Sequence, residues 1–452
     1  MHPRATLTAT ILGSSLAFID GSVVNVALPA IASDLKVDPT NLSWAINAYL
    51  LPLGALILLG GALGDHFGRR RLFQFGLSIF TLASVGCAAA PSLPWFLAAR
   101  GLQGFGAALL MPNSLAILGG GFTGEARGRA IGTWAAAGAL AGTVGPIAGG
   151  WIVDTLGWRG IFLINLPIAA GAAYLAWKYV EERKALRPAP LDVAGAALAT
   201  TALGLLIWAL TMASESTAGH VWIWSAVAGL ILLGTFLRHE GKLGDRALMP
   251  FALFAAPAFV GLTFLTLFLY GSLGGLIVLL PFFLIKIESW LAVAAGAALL
   301  PVPLLIGLVS RVMGRVASRH GPRLPLAAGS AVVAGGLALY WRVDAYSVDY
   351  WRDIFPPTLL VAVGMGACVA PLTTAVMTYV DPDRVGLASG FNNAVARIAG
   401  LIATAALGFV FARQESIDAF MAGFRAAALI GAASAALAAS FALVLVRPPR
   451  AR

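Results

Sequence analysis

Charge is scarce in this chain: 11% of its 452 residues are Asp, Glu, Lys or Arg, against 59% hydrophobic. A soluble domain carries about 25% charged residues, and a soluble fold cannot hide so much apolar surface. The shortage excludes a water-soluble globule, and the excess must face lipid. Cysteine is nearly missing too. Cys87 and Cys368 both fall inside apolar runs, which excludes a disulfide framework and a thiolate metal site. No Gly-x-x-x-x-Gly-Lys-Ser/Thr loop cradles phosphate, so ATP drive is not expected. The histidines lie in loops or tails, no His/Cys cluster suits a metal, and no nucleophile–base pair marks an enzyme. A net charge of +10 would suit nucleic acid. The basic residues lie in short loops between apolar runs, however, where membrane topology accounts for them. Met1-His2-Pro3-Arg4 leads straight into an apolar run with no small-residue cleavage site. That reads as an uncleaved first span, not a removed signal peptide.

What the chain has in place of charge is long apolar runs. A spanning helix needs about 20 mostly apolar residues, and about fourteen runs qualify, from Thr6–Ile31 to Phe420–Val446. With the N-terminus in the cytoplasm, the inside loops hold Arg69, Arg70, Arg71, Arg127, Arg129, Lys178, Arg183, Lys184, Arg187, Arg238, Lys242, Arg246, Arg311, Arg315, Arg319, Arg323 and Arg384, and the tail adds Arg447, Arg450 and Arg452. The outside loops hold only Lys36, Arg159, Lys286, Arg342, Arg352, Arg413 and Arg425. This roughly threefold bias is the positive-inside pattern. An even number of spans brings both termini to the cytoplasm. Internal repetition points the same way. Gly61-x-x-x-Asp65-x-x-Gly68-x-Arg70 follows the second run, and Gly314-x-x-x-Ser318-x-x-Gly321-x-Arg323 follows the tenth. The expected division is a six-helix bundle over 1–182, linkers with two extra spans over 183–256, and a second six-helix bundle over 257–452. The extra spans are Val193–Ala213 and Val221–Leu237.

Ionisable groups inside a membrane are costly and mark function by default. Asp20, in the middle of the first run, is the one acid placed deep in the bilayer. A carboxyl withdrawn from water holds its proton more tightly, and an arginine beside it has the opposite effect. Asp20 is therefore either a proton carrier or an acid that locks its helix to a neighbour. Arg100 lies in the fourth run, with Gln103 and Gly104 on its face at i+3 and i+4. At about 1.5 Å per residue, Asp20 is about 16 Å and Arg100 about 9 Å from the outer ends of their helices, within an arginine's reach if the helices are neighbours. Arg397, with Asn393 one turn before it, has no acid in the membrane part of the second half to neutralise it. It faces a wet cavity, or it serves a structural bond.

The loop Gly61-Ala62-Leu63-Gly64-Asp65-His66-Phe67-Gly68-Arg69-Arg70-Arg71 sets an acid at a helix C-terminus and arginines at the next N-terminus. Both placements oppose the local helix dipoles. Asp65 should therefore meet an arginine or another helix N-terminus, as a cytoplasmic latch or as part of a plain tight turn. In the fifth run, Gly138, Gly142, Gly145 and Gly149 recur at steps of four, three and four. They form a face for close helix packing, and Pro146 within it invites a bend; Gly150 follows.

These segments together resemble the major facilitator superfamily over essentially the whole chain, and specifically its fourteen-helix drug:proton antiporter branch. Gly61–Arg71 resembles the family's cytoplasmic signature between helices two and three. Arg100-x-x-Gln103-Gly104-x-Gly106 resembles the helix-four motif that the family associates with proton coupling. Gly142-x-x-Gly145-Pro146-x-x-Gly149-Gly150 resembles the antiporter motif of helix five. Asp20 through Asn25 to Pro29 resembles the branch's first-helix signature, and Trp158-Arg159-x-x-Phe162-x-x-Asn165-x-Pro167 also fits it. The resemblance implies an all-α integral membrane protein of major facilitator fold, two six-helix bundles that rock around a midplane site. It implies a proton-coupled secondary transporter that exports amphiphilic small molecules or drugs across the cytoplasmic membrane. The expected partners are the lipid bilayer, a small-molecule substrate and protons, with no nucleic acid, no cofactor and a monomeric state. The second half lacks the membrane acids that multidrug members often carry, and Asn393 and Arg397 stand one residue further apart than the family's Asn-x-x-Arg. One buried acid against two arginines suits neutral, zwitterionic or weakly anionic amphiphiles better than a dication, which would be poorly neutralised at low dielectric. A uniporter or metabolite importer of the same fold is the alternative, and gradient-independent exchange would mark it. A transport-dead sensor would be expected to carry a large appended soluble domain.

Overall fold

The computed structural model describes the chain apart from residues 1, 37–38, 123, 184–190, 214–219, 245–246, 248, 250, 346–347, 381–384, 412–415 and 447–452. Some side chains within helices also lie outside the described set, most of them in 124–143 and 385–387. Among the described residues there is no strand. The long helices, in order, are α1 (Pro3–Leu35), α2 (Trp44–Phe67), α3 (Arg69–Ala88), α4 (Leu93–Gly121), α5 (Gly124–Leu156), α6 (Gly160–Tyr179) and α7 (Val193–Met212). They continue as α8 (Val221–Leu243), α9 (Pro257–Lys286), α10 (Ala292–Ala317), α11 (Arg323–Leu339), α12 (Phe355–Thr378), α13 (Val385–Ala406) and α14 (Ile417–Leu445). Helices are the required form here, because lipid offers no partner to an unpaired backbone group.

Among the described residues twelve helices are long and apolar enough to cross a membrane, and Asn41–Ile57 with Leu59–Phe67, bent by 54°, makes a thirteenth. The remaining run of the fourteen, Ala130–Val153, lies on α5, which is helical over 33 residues. Large apolar side chains such as Leu82, Trp177, Trp224 and Ile231 stand exposed on these helices, as a lipid-facing surface requires. Prolines open α4, α9 and α12, where the missing N–H is not needed.

The chain divides into two compact units. The first comprises Met1–Ala213, Thr217–Pro250 and Leu291–Val293; the second comprises Ser214–Ser216, Phe251–Trp290 and Ala294–Arg452. The same pairing recurs inside each. In the first, α2 and α3 pack on α4, α1 packs on α5 and α6, and α3 packs on α6. In the second, α10 and α11 pack on α12, α9 packs on α13 and α14, and α11 packs on α14. The repeat read in the sequence has a backbone counterpart. Gly68 and Gly321, at matching positions, both adopt positive φ (112° and 84°), a conformation glycine enters without a Cβ penalty. Arg70 donates to the Val180 carbonyl at the end of α6, and Arg323 donates to the Leu443 carbonyl near the end of α14. The Ser318 side chain lies outside the described residues. The extra pair is not a free-standing third body: α7 and α8 belong to the first unit. Trp208 on α7 packs on Trp44 of α2 with ring centroids 5.8 Å apart.

Candidate functional site

Asp20 and Arg100, 80 residues apart in sequence, meet inside the first unit. Both are buried, Asp20 completely and Arg100 to 1% exposure. Arg100 Nη1 donates to Asp20 Oδ2 at 2.5 Å and to Gln103 Oε1 at 2.6 Å. Gln103 Nε2 donates to Asp20 Oδ1 at 2.9 Å, so both carboxylate oxygens are engaged. The i, i+3 spacing of Arg100 and Gln103 places both on the α4 face that looks at α1. Arg100 Nε donates to the Ala45 carbonyl of α2 at 3.1 Å, and the guanidinium lies 4.4 Å from the Tyr49 ring centroid, within cation–π range. The network extends outward from Gln103. Its Nε2 also donates to Ser84 Oγ on α3 at 3.0 Å, and Asn165 Nδ2 on α6 donates to the same hydroxyl at 3.2 Å. Five helices thus meet on one acid and one base.

Tyr49, Ser84 and Asn165 were not singled out for this site by sequence reasoning. Uncharged polar residues are common in membrane helices, and nothing in their spacing announces a shared partner. Asn25 is buried but stands five residues beyond Asp20, about one and a half turns on, and so on the other side of α1. It is not among the partners of the cluster. Asn393 and Arg397 belong to the second unit, where they share one face of α13. Asn393 is exposed and Arg397 half-buried, and neither has a hydrogen-bond or ion-pair partner among the described residues. A cavity of about 520 Å³ lies between α9, α13 and α14 of that unit, with an almost wholly apolar lining that includes Leu276, Ile402 and Phe424, plus Tyr340, Ser272 and Ser434.

Two glycines let α4 reach its neighbours. A Cβ on Gly104 would sit 2.1 Å from the Tyr49 carbonyl of α2. A Cβ on Gly106 would sit 2.7 Å from the Phe80 nitrogen of α3. The glycines of α5 do the same against α1. Gly138 abuts the Phe18 ring, Gly145 abuts Ser22, and Gly149 abuts Val23. Gly142 departs from the expected packed face, with nothing within 4 Å of its Cβ position. Its carbonyl is the one that Pro146, lacking an N–H, cannot bond, and α5 stays helical across both residues. Gly150 lies against the backbone of Ala292 and Val293, within the first unit.

At the α2–α3 turn, Arg69 donates to Asp65 Oδ1 through Nε (3.0 Å) and Nη2 (2.8 Å), and through Nη1 to the Ala116 carbonyl of α4 at 3.0 Å. Gly61 faces Pro112 of α4, and a Cβ on Gly64 would collide with Asn113. The dipole problem at the start of α3 is solved by a residue the sequence reading passed over. Glu182, just past α6, accepts from the backbone N–H groups of Arg70 and Arg71, both at 3.1 Å. A carboxylate at a helix N-terminus satisfies orphan donors and suits the dipole. The signal was available: α3 opens with Gly-Arg-Arg-Arg and has no capping side chain of its own.

The family model of the Major Facilitator Superfamily matches residues 10–404. The drug efflux pump JefA of Mycobacterium tuberculosis is 33% identical over 419 residues, covering 91% of this chain and 81% of the pump. The puromycin resistance protein pur8 of Streptomyces alboniger is 32% identical over 409 residues, covering 89% and 81%. The inward-open xylose transporter XylE of E. coli superposes with a TM-score of 0.67 at 16% identity, covering 98% of this chain and 96% of that one. With its membrane-spanning helices and a family match over most of its length, this chain belongs to the major facilitator superfamily of membrane transporters.

Proposed function

We propose that this transporter is a proton-coupled exporter of amphiphilic small molecules or drugs, working by alternating access. It sits in the cytoplasmic membrane with both termini inside, acts as a monomer without a bound cofactor, and is driven by the proton gradient. The observation that carries this reading is the buried Asp20–Arg100–Gln103 cluster. Asp20 has one donor on each oxygen, Arg100 on Oδ2 and Gln103 on Oδ1. A proton arriving on Oδ2 removes the charge that holds Arg100 and replaces its N–H. The Gln103 bond to Oδ1 can persist. Arg100 is then free to move to another acceptor, and the α1–α4 contact loosens. Release of the proton on the other side restores the pair. Breaking such a buried pair costs about 3–5 kcal/mol, enough to tie protonation to a change of conformation.

The relatives' names support export of drugs and resistance compounds. The apolar cavity of the second unit suits an amphiphile's hydrocarbon part, and Arg397, lacking an acid, favours substrates that are neutral, zwitterionic or weakly anionic. Asp65, Arg69 and Arg70 form the latch on the inner side, with Gly61, Gly64 and Gly68 allowing it to close. The test is transport by purified protein in liposomes with an imposed pH gradient. Asp20→Asn is expected to lose gradient-driven transport and to keep substrate exchange at equal pH. Full proton-driven transport in Asp20→Asn would overturn the mechanism, and gradient-independent exchange by the unaltered protein would favour a uniporter or importer.

A further inference from the structure

One end of the extra helix pair holds a cluster that the transport reading leaves unused. Asp192 caps α7: its Oδ1 accepts from the Gly195 N–H at 2.7 Å and from His239 Nε2 at 2.9 Å. Glu240, beside His239 near the end of α8, is completely buried. Its Oε2 accepts from the Met249 N–H at 2.5 Å. One oxygen remains on each acid. Asp192 Oδ2 and Glu240 Oε1 are both buried, and neither has a hydrogen-bond donor among the described residues. They converge on one spot. A Cβ built on Gly195 would lie 2.2 Å from Asp192 Oδ2 and 2.7 Å from Glu240 Oε1.

Two ionised carboxylates facing each other out of water repel, and each lacks the donor that would repay its desolvation. One proton removes one charge and gives the other oxygen its missing donor. We infer that Asp192 and Glu240 bind one proton between Oδ2 and Oε1, forming a second proton-binding site at the junction of α7, α8 and the linker that follows. The pair keeps one negative charge. Burial works against that charge on Asp192, but the bonds from the Gly195 N–H and His239 outweigh it and hold its carboxyl below the usual carboxylate range. Glu240 is therefore the member that carries the proton. Titratable groups on the neighbouring elements are His239, Arg238 and Lys242 on α8, and Asp65 and His66 on α2; His239 is the one that contacts the pair among the described residues. Asp245 and Arg246 lie outside them.

The position gives the proton a consequence. In its most apolar window α8 is only 6% buried, so little besides α7 and this cluster fastens it. Loss of the proton as pH rises sets two charges against each other where α8, α7 and the Met249 segment join. The site does not depend on Asp20, so the test uses the Asp20→Asn background in lipid nanodiscs, where the carboxyl of Asp20 is silent. An infrared titration should show a protonated carboxyl band that disappears as pH rises and is missing from Glu240→Gln. Thermal stability should fall as pH rises from the ordinary carboxylate range to the pH at which the band is lost, because the proton is held more tightly by the folded chain than by the unfolded one. In Glu240→Gln the amide donates to Asp192 and its carbonyl accepts from Met249, so Tm should become flat with pH. Asp192→Asn should flatten it from the other side, which covers the case where one variant fails to fold. Absence of the band before either substitution, or an unchanged fall of Tm with rising pH in the variants, would overturn the inference.

Discussion

At the scale of single residues, the Asp20–Arg100 pair rests on chemistry that only arginine supplies. Its fork serves Asp20, Gln103 and the Ala45 carbonyl at once, while its face lies against Tyr49. Arg100→Ala leaves the buried Asp20 carboxylate without its counter-charge and with Gln103 as its one remaining donor among the described residues, and should lower stability by about 3–5 kcal/mol. The double variant Asp20→Asn with Arg100→Leu should recover part of that loss, since no charge is then stranded. Denaturant unfolding in micelles gives both numbers, and a double variant no better than Arg100→Ala would show that packing rather than charge dominates. Asp20, Arg100 and Gln103 were legible in the sequence because a charge in an apolar run is rare and costly. Tyr49, Ser84 and Asn165 were not, because an uncharged polar residue in a helix becomes a partner only when another helix brings it one. Glu182 was hidden differently: it stands just past α6, and its function is set by the uncapped start of α3 more than a hundred residues earlier.

At the scale of helices, small residues decide how closely backbones approach, since lipid gives helix association little hydrophobic drive. Gly104 is a sharp case, because what its Cβ would strike first is backbone and cannot rotate away. Gly104→Ala should destabilise the first unit by about 1–3 kcal/mol, as overpacking does, and weaken transport. Gly142→Ala should be tolerated in stability, since its Cβ position is open. Thermal melts of the two variants side by side test the contrast, and equal losses would refute it. The periodicity of the α5 glycines made a packed face readable. It could not show that Gly142 alone stands clear, because that depends on where α1 runs. The positive-φ glycines were readable as a spaced repeat, and the structure supplies its cause: both must turn the chain into a helix that begins with arginine.

At the scale of the whole molecule, the proposed proton coupling turns on how much charge moves with the proton. Within the first unit Asp20 and Arg100 cancel, and Arg397 leaves the membrane part of the second unit with a net positive charge. If one proton enters through Asp20 while one neutral substrate leaves, each cycle carries a positive charge inward. The membrane potential then adds to the pH gradient. A charge crossing 100 mV is worth about 2.3 kcal/mol, or roughly a fiftyfold difference in the substrate ratio that can be sustained. The measurement is export from proteoliposomes clamped with a potassium ionophore, at equal pH on both sides. An inside-negative potential should by itself drive accumulation of a neutral amphiphile outside, and a zwitterion should behave alike. A monocation should gain nothing from the potential, because its exit cancels the proton's entry. Asp20→Asn should abolish the response of the neutral and zwitterionic substrates. A neutral substrate indifferent to potential in the unaltered protein would mean that a second charge moves with the proton, and the one-acid cycle would have to be given up.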